Sequence, residues 1–388
     1  MMLTSVGLFS GIGGIEEGLR RAGWQTRLLC EIDPAARAVL RQRFPGVKIS
    51  SDIKELAGLP EVDLVTAGFP CQDLSQAGTT KGINGRKSGL VREVFRLLGE
   101  RNRVQKWVLL ENVPFMLQLD GGRAMRVITT GLEDLGYTWA YRTVDARAFG
   151  LPQRRKRVLI LASKTEDPRD VLLSGDNPPA YLPARKRPLA CGFYWTEGNT
   201  GLGWAIDAIP ALKPGSAISI PSPPAIWLPR PRKIVTPDVR DAERLQGFPV
   251  DWTRPAVNCD GCSERERWRL IGNAVNVRVS KWIGKKLRNP GRHDTHMDTK
   301  QRKNDRWEPA GWGRKGERYS TNVSEWPAQY GYRSLAEFLA YEGTPLSSRA
   351  ASGFLRRARS SKLRFQPGFL EDIAYHIERI EEGLRRAS

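Results

Sequence analysis

Thr4-Ser5-Val6-Gly7-Leu8-Phe9-Ser10-Gly11-Ile12-Gly13-Gly14-Ile15-Glu16-Glu17-Gly18-Leu19 is the stretch on which the fold turns. A short apolar run ends in a glycine-rich turn, after which Ile15, Leu19 and Ala22 recur at helical spacing. The reading is strand, turn, helix. Working outward, Gln25 to Ile32 is a second apolar run, closed by Glu31-Ile32-Asp33-Pro34 and followed by a helical pattern from Ala35 to Phe44. Val62–Ala67, Trp107–Leu110 and Arg157–Leu161 read as further buried strands, with helical patterns at Val91–Leu98 and Ala124–Leu135 between them. Short apolar runs alternating with helices predict an α/β fold with a doubly wound, mostly parallel sheet. In such sheets ligands bind beyond the carboxyl ends of the strands, so the residues just after each run are the candidates for chemistry.

The texture changes along the chain. Through about residue 165 the strand and helix alternation holds. From 166 to 232, with about 255 as an outer limit, proline and glycine are dense and apolar pieces are short, which predicts a smaller loop-rich domain. Residues 233–290 regain helical character. The polar stretch 292–318 reads as a linker or arm, and Ser334–Tyr341, Ser347–Arg359 and Pro367–Arg386 as short helices, so 291–388 is expected to be a linker with a helical extension of unassigned role.

Composition narrows the class. With 388 residues, 62 Lys+Arg against 42 Asp+Glu and 40% apolar content, collagen-like, disulfide-scaffold and disordered readings are excluded. The net charge of +20 favours a polyanionic partner, nucleic acid first. No run approaches the roughly 18 to 20 apolar residues of a membrane span, and five scattered cysteines suit reduced thiols. The expectation is an intracellular protein with no membrane partner.

Gly11-x-Gly13-Gly14 lets backbone pass close to a ligand, but Glu16 stands where a dinucleotide fingerprint has its third glycine. Glu31, ending the second strand, could accept both hydroxyls of a ribose, so a nucleoside-bearing cofactor without a tightly held pyrophosphate fits better. Cys71 follows Gly68-Phe69-Pro70 at a strand's carboxyl end, where a thiolate nucleophile belongs, although an arbitrary cysteine is more often buried and inert. Glu111-Asn112 occupies the equivalent place after the next run, where an apolar approach favours an acid that holds its proton. Gln153-Arg154-Arg155-Lys156-Arg157 offers cations to phosphate or carbonyl oxygens, or is a solvated turn. Cys259-x-x-Cys262 lacks a second pair at ligand spacing, so no metal is expected.

In this order the residues resemble the cytosine-5 DNA methyltransferase family of bacterial or phage type, from Leu8 to about Val279. Phe9-Ser10-Gly11-Ile12-Gly13-Gly14 is similar to the family's cofactor loop, Gly68–Ser75 to its catalytic loop, Glu111-Asn112-Val113 to its acid motif and Gln153-x-Arg155-x-Arg157 to its arginine motif. Arg244-Leu245-Gln246-Gly247-Phe248-Pro249 and Gly272-Asn273-Ala274-Val275 are similar to its last two motifs, with Asp241 standing where Glu is usual and Ala274 where Ser is more frequent.

The resemblance implies the S-adenosylmethionine-dependent methyltransferase fold, with 1–165 binding cofactor and carrying catalysis, 166–232 recognising the target and 233–290 completing the catalytic domain. Cofactor contacts would come from Phe9, Gly11, Ile12, Gly13, Gly14, Glu31, Ile32, Asp52, Ile53, Pro70, Asn273 and Val275. Catalysis would rest on Cys71, Glu111, Arg155 and Arg157. Gln72 and Ser75 of the catalytic loop, with Arg185-Lys186-Arg187, would meet double-stranded DNA, and Asn199 to Trp204 would read base edges. The implied reaction transfers methyl from S-adenosylmethionine to carbon 5 of a flipped-out cytosine through a covalent Cys71 adduct, in a monomer paired in the cell with a cognate restriction endonuclease. An RNA (tRNA) cytosine-5 methyltransferase and a non-catalytic DNA-binding protein of the same fold are the rivals.

Overall fold

The computed structural model describes residues 2–69, 89–100, 105–178, 189–197, 201, 203–215, 223–258, 262–302 and 304–387. The chain forms two compact units. Unit 1 comprises Met1–Ala148, Lys156–Pro179 and Ala274–Gln329; unit 2 comprises Phe149–Arg155, Ala180–Asn273 and Tyr330–Ser388.

Unit 1 is built on a ten-stranded sheet. Its strands are β1 (Thr4–Leu8), β2 (Gln25–Cys30), β3 (Lys48–Ser50), β4 (Leu64–Ala67), β5 (Trp107–Asn112), β6 (Thr138–Asp145), β7 (Lys156–Ser163), β8 (Asp298–Lys300), β9 (Ala310–Arg314) and β10 (Glu317–Thr321). They lie in the order β8-β10-β9-β6-β7-β5-β4-β1-β2-β3. From β5 to β3 every neighbour is parallel, whereas β7 runs antiparallel to both β5 and β6, and β8 to β10 continue antiparallel. Strand order reverses at β1, which lies between β4 and β2, so a crevice opens beyond the carboxyl ends of β1 and β4.

Alternate residues Val6 and Leu8, Val65 and Ala67, Val108 and Leu110, and Val158 and Ile160 line one buried face of this sheet. Val94 and Leu97 of α3 (Gly89–Leu98), and Met125, Ile128 and Leu132 of α4 (Arg123–Asp134), close over it. Each such side chain contributes about 1.5 to 3 kcal/mol of burial, which fixes the strand ends where the site lies. The turn into α1 (Gly14–Arg20) requires glycine: Gly13 has φ 81°, and a Cβ there would stand 2.4 Å from Phe44 Cε2. Asp33 caps α2 (Pro34–Arg43) by accepting the Ala35 and Ala36 amides, with Pro34 at the first helical position. Helix α5 (Val277–Arg288) returns to unit 1, where the Trp24 indole donates to the Gly284 carbonyl at 3.0 Å.

The segment 292–318, expected as an arm, instead supplies sheet strands. Lys315 and Gly316 both have positive φ, forming a two-residue hairpin turn between β9 and β10 with Arg314 opposite Glu317. Trp307 is buried among Trp139 and Tyr141 of β6, with ring centroids 5.9 and 5.7 Å apart. Fully buried Arg142 donates to the carbonyls of Leu172, Gly175 and Ser324 and to Asp176, tying the segment after β7 to the chain beyond β10.

Unit 2 holds a five-stranded antiparallel sheet, in the order Ala205–Ile206, Cys191–Phe193, Ala225–Leu228, Lys233–Thr236, Thr344–Pro345. Helices Ser348–Ser360 and Phe369–Ala387 pack on it through Phe354, Phe369 and Ile373 against Phe193 and Trp227. The domain boundaries expected from sequence are therefore redrawn. Residues 233–273 belong to unit 2 because Lys233–Thr236 pairs with Ala225–Leu228, and 291–388 is divided: its first part extends the unit 1 sheet and 330–388 completes unit 2.

Candidate active site

Four separate segments of unit 1 meet at Gly68. A Cβ built on that residue would lie 3.6 Å from Glu111 Oε2, 3.7 Å from Val275 Cγ2 and 4.0 Å from the Phe9 carbonyl oxygen. The first turn after β1, the end of β4, the end of β5 and the entry to α5 therefore share one small volume at the strand ends. Asn112, next to Glu111, donates from Nδ2 to the Phe69 carbonyl at 3.2 Å and accepts the Val113 amide at 2.8 Å. It thereby fastens the backbone immediately before Pro70 and Cys71. The sequence reading quotes Asn112 within the acid motif but gives it no role; its place beside Glu111 on a buried strand is the available signal.

Glu111, expected to hold its proton after an apolar approach, has a cation beside it. Its Oε1 lies 2.9 Å from Nε of Arg157, and both side chains are nearly buried. Burial pulls the Arg157 guanidinium below its ordinary range, and the carboxylate beside it opposes that shift. Arg157, two residues after Arg155, is the second residue of β7, and β7 runs antiparallel beside β5, which carries Glu111. The pair can present a carboxyl group and a cationic donor to the polar edge of a planar heterocycle.

Arg155 is used differently. It is buried in unit 2, where Nη1 donates to the Leu212 carbonyl at 2.9 Å and Nη2 to that of Gly272 at 3.1 Å. Gln153 behaves likewise, donating to the Leu245 carbonyl and accepting the Leu212 amide. Two of the three polar residues in the arginine motif thus hold irregular backbone in place, and Arg157 alone meets Glu111. Asp241, noted as a departure, is fully buried and accepts the amides of Ala340 and Tyr341, at 3.1 and 3.0 Å.

Of the expected cofactor residues, Phe9 to Gly14 follow β1, and Glu31 and Ile32 follow β2. Glu31 Oε2 accepts the Gly11 amide at 2.7 Å and Oε1 accepts the Asp33 amide at 2.8 Å, which sets the carboxylate across the glycine turn. Burial raises the Glu31 pKa, and these two amides oppose the rise. Gly11 has φ 55° and a Cβ on it would meet nothing within 4 Å, so the turn faces open space. Phe9 also has positive φ, Ile12 and Gly14 are buried, and Ile32 is 69% exposed directly after Glu31. Asp52 caps a short helical turn through the Lys54 amide, while the Ile53 side chain packs into the core. Val275 is half-buried in unit 1, and Asn273 is exposed at the end of a unit 2 helix. Pro70, Cys71, Gln72, Ser75, Arg185, Lys186, Arg187, Asn199, Thr200, Leu202 and Cys259 lie outside the described residues.

Glu16, read from sequence as a missing glycine, is wholly buried under the turn. Its carboxyl pKa is raised from 4.5 to about 7, chiefly by burial, with Glu31's charge adding to the rise and hydrogen bonding at Ser10 and Thr66 opposing it. Among the described residues no helix is long and apolar enough to cross a membrane.

Comparison with known proteins places the chain in a family. The model of the C-5 cytosine-specific DNA methylase family matches residues 3–187. The Type II methyltransferase M2.BsuMI of Bacillus subtilis (strain 168) is 49% identical over 380 residues, 95% of this chain and 96% of that one. The Type II methyltransferase M.NlaX of Neisseria lactamica is 30% identical over 318 residues, covering 74% and 96% of the two chains. In fold, the chain is similar to the crystal structure of the S. pombe Dnmt2 methyltransferase, with a TM-score of 0.54 at 18% identity over 74% of this chain and 98% of that one. With its strand-end site and a relative matched over nearly the whole length of both chains, this protein belongs to the family of C-5 cytosine-specific DNA methylases.

Proposed function

We propose that this chain transfers the methyl group of S-adenosylmethionine to carbon 5 of a cytosine flipped out of a short site in duplex DNA, with Cys71 as the nucleophile. A base stacked in a duplex exposes neither face of its ring, so extrusion is required by access alone. The observation that carries the reading is the Glu111–Arg157 pair, 2.9 Å apart beside Gly68, three residues before Cys71 in sequence.

Carbon 5 of cytosine is a poor nucleophile until carbon 6 is attacked. Addition of the Cys71 thiolate to carbon 6 moves the electron pair of the 5,6 double bond onto carbon 5. Glu111, protonated in this step, donates its proton to nitrogen 3, and the Arg157 guanidinium donates to the base carbonyl, so the negative charge that develops across that edge is neutralised. S-adenosylmethionine supplies an electrophilic methyl group. Once carbon 5 is alkylated, its proton leaves to a base, the electron pair re-forms the double bond and Cys71 departs as thiolate.

The strand ends fit such a cofactor: Glu31 is a carboxylate pre-set by two amides to accept vicinal hydroxyls, Ile32 offers an exposed apolar face, and the Gly11 turn leaves room for close approach. Phe9, Ile12, Gly13, Gly14, Asp52, Ile53, Pro70 and Val275 would complete the binding site, mainly through backbone where side chains are buried. Gln72, Ser75 and Arg185-Lys186-Arg187 would touch DNA. Since two relatives are named Type II methyltransferases, we infer the same class here, with a restriction endonuclease of the same target as partner.

Bisulfite sequencing of plasmid from cells expressing the chain tests the reading. Cytosines in one short context should resist conversion, and a Cys71→Ser control should restore conversion. Protection that survives Cys71→Ser removes the nucleophile; no protection despite soluble protein removes the DNA substrate.

A further inference from the structure

Helix Ser348–Ser360 of unit 2 carries charge that the rest of the fold leaves unanswered. Ala351, Phe354, Leu355 and Ala358 form its buried face. Arg349, Arg356 and Arg359, spaced by seven and three residues, fall on the opposite face with Ser352 between them and Ser360 next to Arg359. Lys362 and Arg364 extend the strip beyond the helix. The twenty residues from 347 to 366 hold six cations and no carboxylate. Arg357 is committed internally, donating to the carbonyls of Trp195 and Glu197. The other five are exposed, and among the described residues none forms an ion pair or hydrogen bond.

Elsewhere on unit 2 some cations are matched, while Arg230, Lys233, Arg265, Arg333 and Arg379 are exposed with no ion pair among the described residues. Arg240 pairs with Asp238 at 2.9 Å, Arg254 with Glu264 at 2.7 Å, Arg269 with Glu266 at 2.6 Å and Lys213 with Glu197 at 2.7 Å. A rigid strip of like charge repels itself, a cost relieved when a polyanion lies along it. Arg356, Arg359, Ser352 and Ser360 also line one shallow groove with Leu355 and Ile377.

We propose that this face docks the sugar-phosphate backbone of duplex DNA and reads no bases. The proposal rests on the DNA-methylating reading above and deepens it. Guanidinium groups suit phosphate oxygens, and serine hydroxyls are common companions in such interactions. Phe354 is fully buried, so the helix offers no aromatic platform for unstacked bases. Its cationic face also carries no exposed large apolar side chain with which to enter a lipid surface. A duplex backbone is the polyanion that remains.

The test is a salt titration on the full chain, comparing wild type with Arg349→Gln/Arg356→Gln/Arg359→Gln by fluorescence anisotropy on a random-sequence duplex of about 40 base pairs. Each guanidinium withdrawn from a phosphate should flatten the slope of log affinity against log salt by about 0.9, so the triple variant should lose about 2 to 3 and bind at least tenfold more weakly at about 0.1 M salt. Its thermal melt should match wild type, because every altered side chain is exposed. The corresponding triple lysine variant should keep most of the slope. An unchanged slope in the glutamine variant, or a lysine variant that falls as far as glutamine, overturns phosphate docking. A plasmid bisulfite assay of the same preparations separates the two layers. If wild type protects cytosines while the glutamine variant keeps its slope, the docking face falls alone; if wild type protects none, the underlying reading falls and takes this proposal with it.

Discussion

Arg157 and Arg155 lie two residues apart, yet the first pairs with Glu111 at the end of β5 in unit 1 while the second donates to the Leu212 and Gly272 carbonyls in unit 2. The difference follows from what surrounds each. In unit 1 the regular sheet satisfies its own backbone, so polar side chains at strand ends are available to a ligand. Unit 2 is rich in irregular backbone whose carbonyls and amides find no ladder partner. Gln153, Arg155, Asp241 and Gln246 each bond to main-chain groups there. Unit 1 also holds backbone with polar side chains, through Arg142 and Asn112, but it sets the Glu111–Arg157 pair at its strand ends, whereas Gln153 and Arg155 in unit 2 bond to main chain.

That contrast can be broken most decisively at Glu111. Glu111→Gln should lower kcat by about 10²- to 10⁴-fold while the melting temperature and DNA affinity stay close to wild type. A variant that keeps its turnover would remove Glu111 from the base edge. Arg155→Met tests the other side: it strips donors from two buried carbonyls and should cost roughly 2 to 5 kcal/mol of stability, read as a fall in denaturant midpoint. If it instead leaves stability intact and depresses kcat, Arg155 works on the base and the division between the two arginines is wrong.

Much of unit 1 is legible in sequence because its signals are local. The Gly11–Gly14 turn, the apolar runs of β4, β5 and β7, and Glu111 at the end of β5 each follow from period and position. The strands β8 to β10 are less so. They are short, polar and interrupted by Gly311 and Gly313, and pairing with β6, about 170 residues earlier in the chain (Ala310 with Arg142), is what makes them strands. The Lys315-Gly316 hairpin turn is the cue that points to them. Nor can spacing alone divide one motif between two units, since Arg155 and Arg157 differ in what the fold brings to each. The role of Asp241 is hidden for the same reason: the amides it accepts belong to Ala340 and Tyr341, about 100 residues away.

Glu16 sharpens the comparison inside unit 1, because it is a buried acid that faces no open crevice. Unfolded, its carboxyl titrates near 4.5; folded, near 7. Between those values the folded state holds a proton that the unfolded chain has released, so this group's stabilising contribution is present at low pH, is lost as pH rises from about 4.5 to 7, and changes no further above. Glu16→Gln removes that dependence. Relative to wild type it should be about equal at low pH and more stable at pH above 7, by on the order of 3 kcal/mol. Chemical denaturation at three pH values measures the difference, and a constant offset across them would mean that the carboxyl does not titrate where its burial puts it.

The smallest expected effect is at Glu31, and it separates holding a loop from holding a ligand. Its two oxygens accept the Gly11 and Asp33 amides, a fastening job like those of unit 2, while the same carboxylate faces the open turn as a ribose acceptor would. Glu31→Ala should weaken S-adenosylmethionine binding by about tenfold to a hundredfold in calorimetry, roughly 1.4 to 2.7 kcal/mol. The melting temperature without cofactor should fall by a few degrees as the two amides lose their acceptor. A lower melting temperature with unchanged cofactor affinity would make Glu31 a loop fastener, and the rule that strand-end acids in unit 1 serve a ligand would then hold for Glu111 and fail here.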